Sequence, residues 1–281
     1  MKGATSDFIS ANFTDTGQWK LIVYVSAHGI CALLKNTELP DLPPVTLLSR
    51  SWSCPVADVL PNIEAAVYDN PRMLDDYATE IIVCTPKALW IPSALMEDEE
   101  FDPRWFSAVY PAADEDISME YGSMESVLFS LVPGLNSFLR RTLPGCRVSS
   151  HLSVLKSLFR SLAPLVEPSP ASGTVFVNVR EGEADFFAFK DRRFFCGAVH
   201  PWSTHSDIAY FVTLVAEANA LELRSLNLNV VADGAAASGV AKCLEPYVAS
   251  ISLWSRPDSV EREGLPLAAA VAVGDSISLL L

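Results

Sequence analysis

V-F-V-N-V-R-E-G-E-A-D-F-F-A-F-K-D, residues 175–191, decides how this chain folds. With Thr174 in front, the run to Val179 is rich in β-branched and aromatic residues and reads as a buried strand. Arg180-Glu181-Gly182 reads as a turn and Asp185–Phe189 as the returning strand. Working outward, Arg193–Val199 makes a third strand. A helix opens at Thr204, with Asp207 three residues on in an arrangement close to a capping box. It runs to about Leu221, and Ile208, Phe211, Val212 and Val215 trace one apolar face. Leu226–Val231 supplies another strand.

The first half has the same order. Lys20–Ser26 (K-L-I-V-Y-V-S) reads as a buried strand, Ala27-His28-Gly29 as a tight turn and Ile30–Leu34 as the return. Val45–Trp52 follows a Pro-rich loop as a third strand, then a helix over roughly Val56–Tyr68 and a strand at Thr79–Cys84. Each half therefore reads strand, strand, strand, helix, strand. Between them, Pro164 to Gly173 holds three prolines and a terminal Ser-Gly, a natural lobe boundary. Just before it, His151–Leu162 is helical, with Leu152, Leu155, Phe159 and Leu162 on one face. The expected organisation is a loose arm over 1–17, a first lobe over 18–168 and a second over 169–281. An acidic, turn-rich insertion at about 97–125 is expected on the first lobe's rim, its run Glu97-Asp98-Glu99-Glu100 a solvated edge.

At 281 residues the chain can bury a sizeable core, and with half its residues hydrophobic and 19% charged it is not disordered over most of its length. A net charge of −14 repels nucleic-acid backbones and anionic lipid, so neither is an expected partner. The N-terminus lacks an apolar signal segment, and the longest apolar runs, such as Leu265–Val273, fall far short of a membrane span. The six cysteines show no Cys-x-x-Cys spacing, and those inside apolar runs, Cys84 for one, read as small hydrophobes. The expectation is a reduced, cytoplasmic protein.

A duplicated three-strand-then-helix unit resembles the plan of the actin-like ATPase superfamily, a ribonuclease H-like α/β fold with two lobes, each a mixed sheet flanked by helices. The chain resembles an uncharacterised family of Bacteroidetes proteins with a degenerate form of that fold. It is also distantly similar to actin-like cytoplasmic subunits of pilus-assembly and type II secretion machines. The likeness rests on residues 21–34, 149–155, 175–191 and 206–217.

The resemblance implies a nucleotide cleft between the lobes, where one hairpin turn from each brings backbone N–H groups and an Asp to the phosphates and the metal-bound water. Glycines let backbone approach phosphate, and a carboxylate positions Mg²⁺. The first turn should read Asp-x-Gly. Here it is Ser26-Ala27-His28-Gly29, with one glycine and no carboxylate. The second should read D-I-G-G-G-T-T-D. Aligned on Asp185, it places Asn178 in the catalytic carboxylate slot, Arg180 and Glu181 for two glycines, then Gly182, and Glu183 for a threonine. Asn can neither take a proton from water nor supply charge to hold Mg²⁺. Two glutamates facing a triphosphate would each be repelled by roughly 1–4 kcal/mol per close charge pair. The adenine-binding turn is half matched by Asp233-Gly234, which also reads as a plain strand-to-helix turn.

Other chemistries lack support. Cys196, His200, His205 and Asp207 cluster within twelve residues but match no familiar zinc spacing. No nucleophile elbow, Walker loop, zincin or dinucleotide motif is present. His28 would face the cleft, while His151 reads as structural, satisfied by a backbone carbonyl. The function expected is a non-catalytic scaffold that docks an unknown protein partner or itself, with no cofactor. The alternative is a divergent ATPase or kinase binding Mg-ATP through Asp185 and Asp233.

Overall fold

The structure, a computed structural model, describes residues 15–96, 104–111, 116–166, 173–191, 193–257, 259–260, 264–275 and 277–279. In the first lobe, β1 (Trp19–Ser26), β2 (Gly29–Asn36) and β3 (Val45–Ser51) form an antiparallel meander. Helix α1 (Val59–Tyr68) then returns the chain to β4 (Ala78–Val83), which lies parallel to β1. An excursion through β5 (Ala88–Pro92), α2 (Arg104–Val109), β6 (Asp116–Glu120), β7 (Glu125–Leu131) and α3 (Leu135–Thr142) ends at β8 (Arg147–Ser150), parallel to β4. The sheet order is β3-β2-β1-β4-β8. β8 runs without a loop into α4 (His151–Val166).

The second lobe repeats the plan. β9 (Gly173–Val179), β10 (Glu183–Lys190) and β11 (Arg193–Pro201) form the meander, and α5 (His205–Ala218) leads to β12 (Asn227–Val231), parallel to β9. Helix α6 (Gly234–Leu244), β13 (Ser250–Ser255), α7 (Leu267–Ala272) and β14 (Ser278–Leu279) complete it, giving β11-β10-β9-β12-β13-β14. The expected capping box is made: Asp207 Oδ2 accepts from the Thr204 backbone N–H at 2.8 Å.

Strand alternation explains how the lobes join. Leu21, Val23 and Val25 of β1 face the outer core beneath α1 and α3, whereas Ile22 and Tyr24 face the other lobe. On β9 and β10, Val175, Val177, Ala184 and Phe186 face outward under α5 and α6, and Phe176, Phe187 and Phe189 face inward. The inward residues of both sheets meet Leu152, Leu155 and Phe159 of α4 and Leu267–Ala269 of α7 in one shared core. Phe159 sits at its centre, its ring 4.7 Å from Phe176 and 5.0 Å from Phe187. The apolar run Leu265–Val273 is therefore core helix; among the described residues no helix is long and apolar enough to cross a membrane.

Two elements depart from the sequence reading. The rim segment is more ordered than its turn-rich composition suggests: β5, β6 and β7 form a separate antiparallel sheet, order β5-β7-β6, with Phe106 of α2 packed on Ile91 and Leu128. Its acidic run, 97–100, lies outside the described residues, as do residues 1–14 of the arm and 167–172 of the linker. Helix α4 also continues through Pro164 to Val166. A proline in the last turn leaves only one carbonyl without its helical partner there, so the break comes later than the residue itself.

Phe159→Ala should lower the unfolding free energy by about 3–5 kcal/mol, because it empties the place where both sheets and α4 meet. A urea titration of the variant against the wild type measures this, and the wild type should unfold in one transition, since its lobes share that core.

Candidate functional site

Both hairpins end at the cleft, and each is clamped by a tryptophan that follows the third strand of its lobe. In the first, the Trp52 backbone N–H donates to His28 O at 2.8 Å and its indole N–H donates to Ala27 O at 2.9 Å. In the second, the Trp202 N–H donates to Gly182 O at 3.0 Å and its indole to Arg180 O at 2.8 Å. Both are followed by serine, a repeat visible in the sequence as Trp52-Ser53 and Trp202-Ser203.

Ser26 Oγ accepts from the His28 backbone N–H at 3.1 Å and lies 3.3 Å from Gly29 O, to which it donates. The first turn thus uses internally a backbone donor that a phosphate would need. Gly29 is required by packing, since a Cβ there would stand 2.6 Å from Arg50 O. Gly182 is required by conformation, with φ +70°. Asp233 caps α6, its Oδ1 accepting from the Ala235 and Ala236 N–H groups at 3.1 and 2.9 Å, with Gly234 as the first helical residue.

The cleft holds a cavity of about 840 Å³. Of the residues expected there, Ser26, His28, Gly29 and Arg180 line it, beside Glu181 and Glu183; Asn178, Gly182, Asp185, Asp233 and Gly234 do not. Asn178 and Asp185 pair across the second hairpin, inward-facing and fully buried. Asp185 accepts from Asn178 Nδ2 at 2.8 Å, from Arg180 Nε at 3.0 Å and Nη2 at 2.7 Å, and from His151 Nε2 at 3.3 Å. Arg180 Nη1 also pairs with Glu183 at 2.9 Å. Asn178 Oδ1 has no hydrogen-bond partner among the described residues.

His151 does meet a backbone carbonyl, Val83 O, through Nδ1 at 3.3 Å, but its other nitrogen reaches the second lobe's Asp185. A carbonyl and a carboxylate can only accept, so both contacts are hydrogen bonds only when both ring nitrogens carry protons. Burial disfavours this cation, yet the neighbouring Cys84 and Asp185 outweigh burial and raise His151 to about 9. Burial likewise works against ionising Asp185, while Arg180 and His151 hold it well below the usual carboxylate range. Cys84 follows β4, its N–H donating to Val25 O at 2.8 Å, and its thiol contacts both His151 and Tyr24. It packs in the shared core as the sequence suggested and also borders the polar cluster.

Cys84, His151 and Tyr24 were not legible as site residues. They come from the ends of β4, the start of α4 and the middle of β1, and only the parallel ladder brings them together. The four residues weighed as a metal site have separate partners. Cys196 accepts from Asn219 at 3.2 Å, His200 stacks on Phe211 at 4.1 Å, Asp207 caps α5, and the His205 ring packs against Trp202.

Mg-ATP, which this architecture implies, does not fit these residues. The residue that the resemblance aligns with a metal-holding carboxylate is the neutral Asn178, and Asp185 is saturated by internal donors. Glu181 and Glu183 line the cavity and would repel a triphosphate in it.

Two lobes of the same strand order around a shared helical core, with paired hairpins at the cleft, define an actin-like ATPase fold of the α/β class. The chain belongs to the family described as "Protein of unknown function (DUF3822)", whose model matches residues 13–251. A Bacteroides thetaiotaomicron protein with actin-like ATPase fold and unknown function is similar at 15% identity, over 86% of this chain and 93% of that one, with a TM-score of 0.71. Weaker likenesses are the cytoplasmic domain of EpsL from Vibrio cholerae (14% identity, 75% and 80% covered, TM-score 0.37) and ethanolamine utilization protein EutJ from Carboxydothermus hydrogenoformans (9%, 83% and 84%, 0.43). No curated protein matches the chain significantly.

Asp185→Asn should cost about 3–5 kcal/mol, because His151 would be left buried without its carboxylate and Arg180 would keep only Glu183. Replacing Asp185 and Arg180 together by leucine and methionine should cost less than that single change, measured by chemical denaturation. His151 is raised on folding, so its contribution is complete below the unfolded value of about 6.5. The contribution is lost as pH rises through about 9. Unfolding free energy measured across that window should fall, and the fall should be absent in His151→Gln.

Proposed function

We propose that the chain is a non-catalytic actin-like scaffold, a protein-interaction module in which an internal ion cluster stands where the fold's nucleotide chemistry would be. The observation that carries this reading is the state of Asp185, the cleft-side carboxylate of the second hairpin. It is fully buried and bonded to Asn178, Arg180 and His151. A carboxylate so engaged has no lone pair free for a metal or its waters, and Asp233 spends one oxygen on its helix cap and lies off the cavity wall. A divergent ATPase or kinase would need one of them free and facing the cavity.

The partner is a protein, or a second copy of this chain, and the cytoplasm is the compartment that suits six unpaired thiols. The rim sheet offers a docking surface: Leu95, Val109, Tyr121 and Met124 are exposed around β5–β7, more apolar surface than a solvated edge needs. The net charge of −14 favours a basic partner, bound with marked salt sensitivity.

Thermal unfolding of the purified protein in millimolar Mg-ATP, with ADP and Mg²⁺ alone as controls, tests the reading. The expected result is an unchanged midpoint. A ligand at a hundred times its dissociation constant stabilises a fold by roughly 2.7 kcal/mol, a shift of a few degrees at this size. A shift of that kind with Mg-ATP would overturn the scaffold reading and return the cleft to nucleotide.

A further inference from the structure

Four strands end the two main sheets, and they differ in what covers them. At β8 the β6–β7 hairpin closes the edge, with Glu120 accepting from Arg147 at 3.0 Å and from the Ser150 N–H at 3.2 Å. β14 has two residues, and Gly197 in the middle of β11 is buried beneath Trp90. β3 is the open one, exposed from Ser49 to Ser51 and bordering the cleft cavity. We propose that this edge takes up an extended, basic segment of a partner protein as an added strand, whose lysine or arginine side chains enter the cavity beside Glu181 and Glu183. The inference rests on the reading of the chain as a protein-interaction module and specifies the form and charge of what it binds.

The ladder fixes which backbone groups are free. In an antiparallel pair, residues exchange hydrogen bonds at every second position, and those between turn their N–H and C=O groups away. The Trp52 N–H donates to His28 O, so the bonded pairs along β2 and β3 are His28/Trp52, Ile30/Arg50 and Ala32/Leu48. Ser49 and Ser51 therefore present their backbone groups outward, where they meet no partner among the described residues. The bulge at Leu47 lies nearer the start of the strand and leaves the stretch from Leu48 regular. An edge of this kind is a template for one more strand.

Alternation then sets the chemistry. Cys31, opposite Ser49, packs in the shared core, so Ser49 and Ser51 point their side chains to the cleft side and line the cavity. An added strand has every second side chain on that face, beside these two small serines. Such a side chain meets an apolar wall first and acid beyond it. Ile30, Trp52, Pro86 and Pro266 line the cavity, and Glu181 and Glu183 stand on the second hairpin. Of the two arginines lining it, Arg50 pairs with Asp69 at 3.0 Å and Arg180 is held by Asp185 and Glu183. Glu181 has no ion pair among the described residues. Lysine and arginine join an apolar stem to a charged end, which matches that order of surfaces, and a cavity of about 840 Å³ has room for them. With a chain charge of −14 behind it, the site draws a basic segment and repels an acidic one.

The probe is an acetylated, amidated peptide of alternating valine and lysine, titrated to millimolar concentration into the isotope-labelled full-length protein. The amide NMR signals of Ser49 and Ser51 should move with peptide concentration, and their hydrogen exchange should slow. The same peptide with glutamate for lysine should leave them in place, and one N-methylated along its backbone should bind more weakly. Ser49→Pro removes an edge N–H that the β2 ladder does not use and should abolish the response. Glu181→Lys, at an exposed hairpin tip, should weaken binding about tenfold and flatten its salt dependence, and the test stands on this variant if Ser49→Pro does not fold. No movement at millimolar peptide, equal binding of the glutamate peptide, or shifts confined to β5–β7 would each overturn the proposal. So would slow exchange at Ser49 and Ser51 in the peptide-free protein, whether from a second copy or from the chain's own N-terminal arm. Any of these with an unchanged midpoint in Mg-ATP removes only the cleft as a peptide site and leaves the interaction module standing, whereas a nucleotide shift removes both.

Discussion

A carboxylate wholly removed from water is tolerable only if fixed donors replace its hydration, and Asp185 draws those donors from both halves of the chain. Arg180 and Asn178 come from its own hairpin, His151 from the junction of β8 and α4 in the other lobe. Three consequences follow from that one interaction. The second hairpin is held by its own arginine, so Arg180 is folded back rather than extended into the cleft. The lobes are tied by a polar contact inside an otherwise apolar core. The same contact seats the His151 ring beside Cys84. Removing Asp185 therefore disturbs the hairpin, the lobe contact and the cavity floor together.

The fold was largely legible because the central strands are buried on both faces. Strands β1, β2, β9 and β10 read as continuous apolar runs, and the duplication of their order carried the architecture. What escaped was less apolar or poorly delimited. β6, D-I-S-M-E, is half-buried throughout and carries an acid at each end. β8 has four residues and no loop before α4. Pro164 marks a break in composition yet lies inside a helix, since one missing donor in a last turn is a small loss.

The site was legible only in part, for a different reason. Alignment on the second hairpin brought out Asn178, Arg180 and Asp185, because they lie within eight residues of one another and the turn dictates that they share a neighbourhood. It did not reveal that Arg180 would bond to Asp185, and Arg180 and Glu181 looked alike as replacements for glycine. Cys84 and His151 carry no local pattern at all. His151 and Asp185 are 34 residues apart, and their meeting depends on how α4 seats between the sheets. Periodicity reports which face is buried; it does not report which polar side chains meet on that face.

The paired tryptophan clamps bear on the order in which the molecule assembles. Trp52 reaches back 25 residues to Ala27, and Trp202 reaches back 22 to Arg180, so each closes its three-stranded meander with contacts from a short stretch of chain. Local closure is the fast part of folding, because little loop entropy is spent before a contact forms. Each meander can thus take shape before it meets the other half. Asp185 and His151 would then keep their water until the last step, and their dehydration becomes part of the barrier to docking rather than of the early collapse.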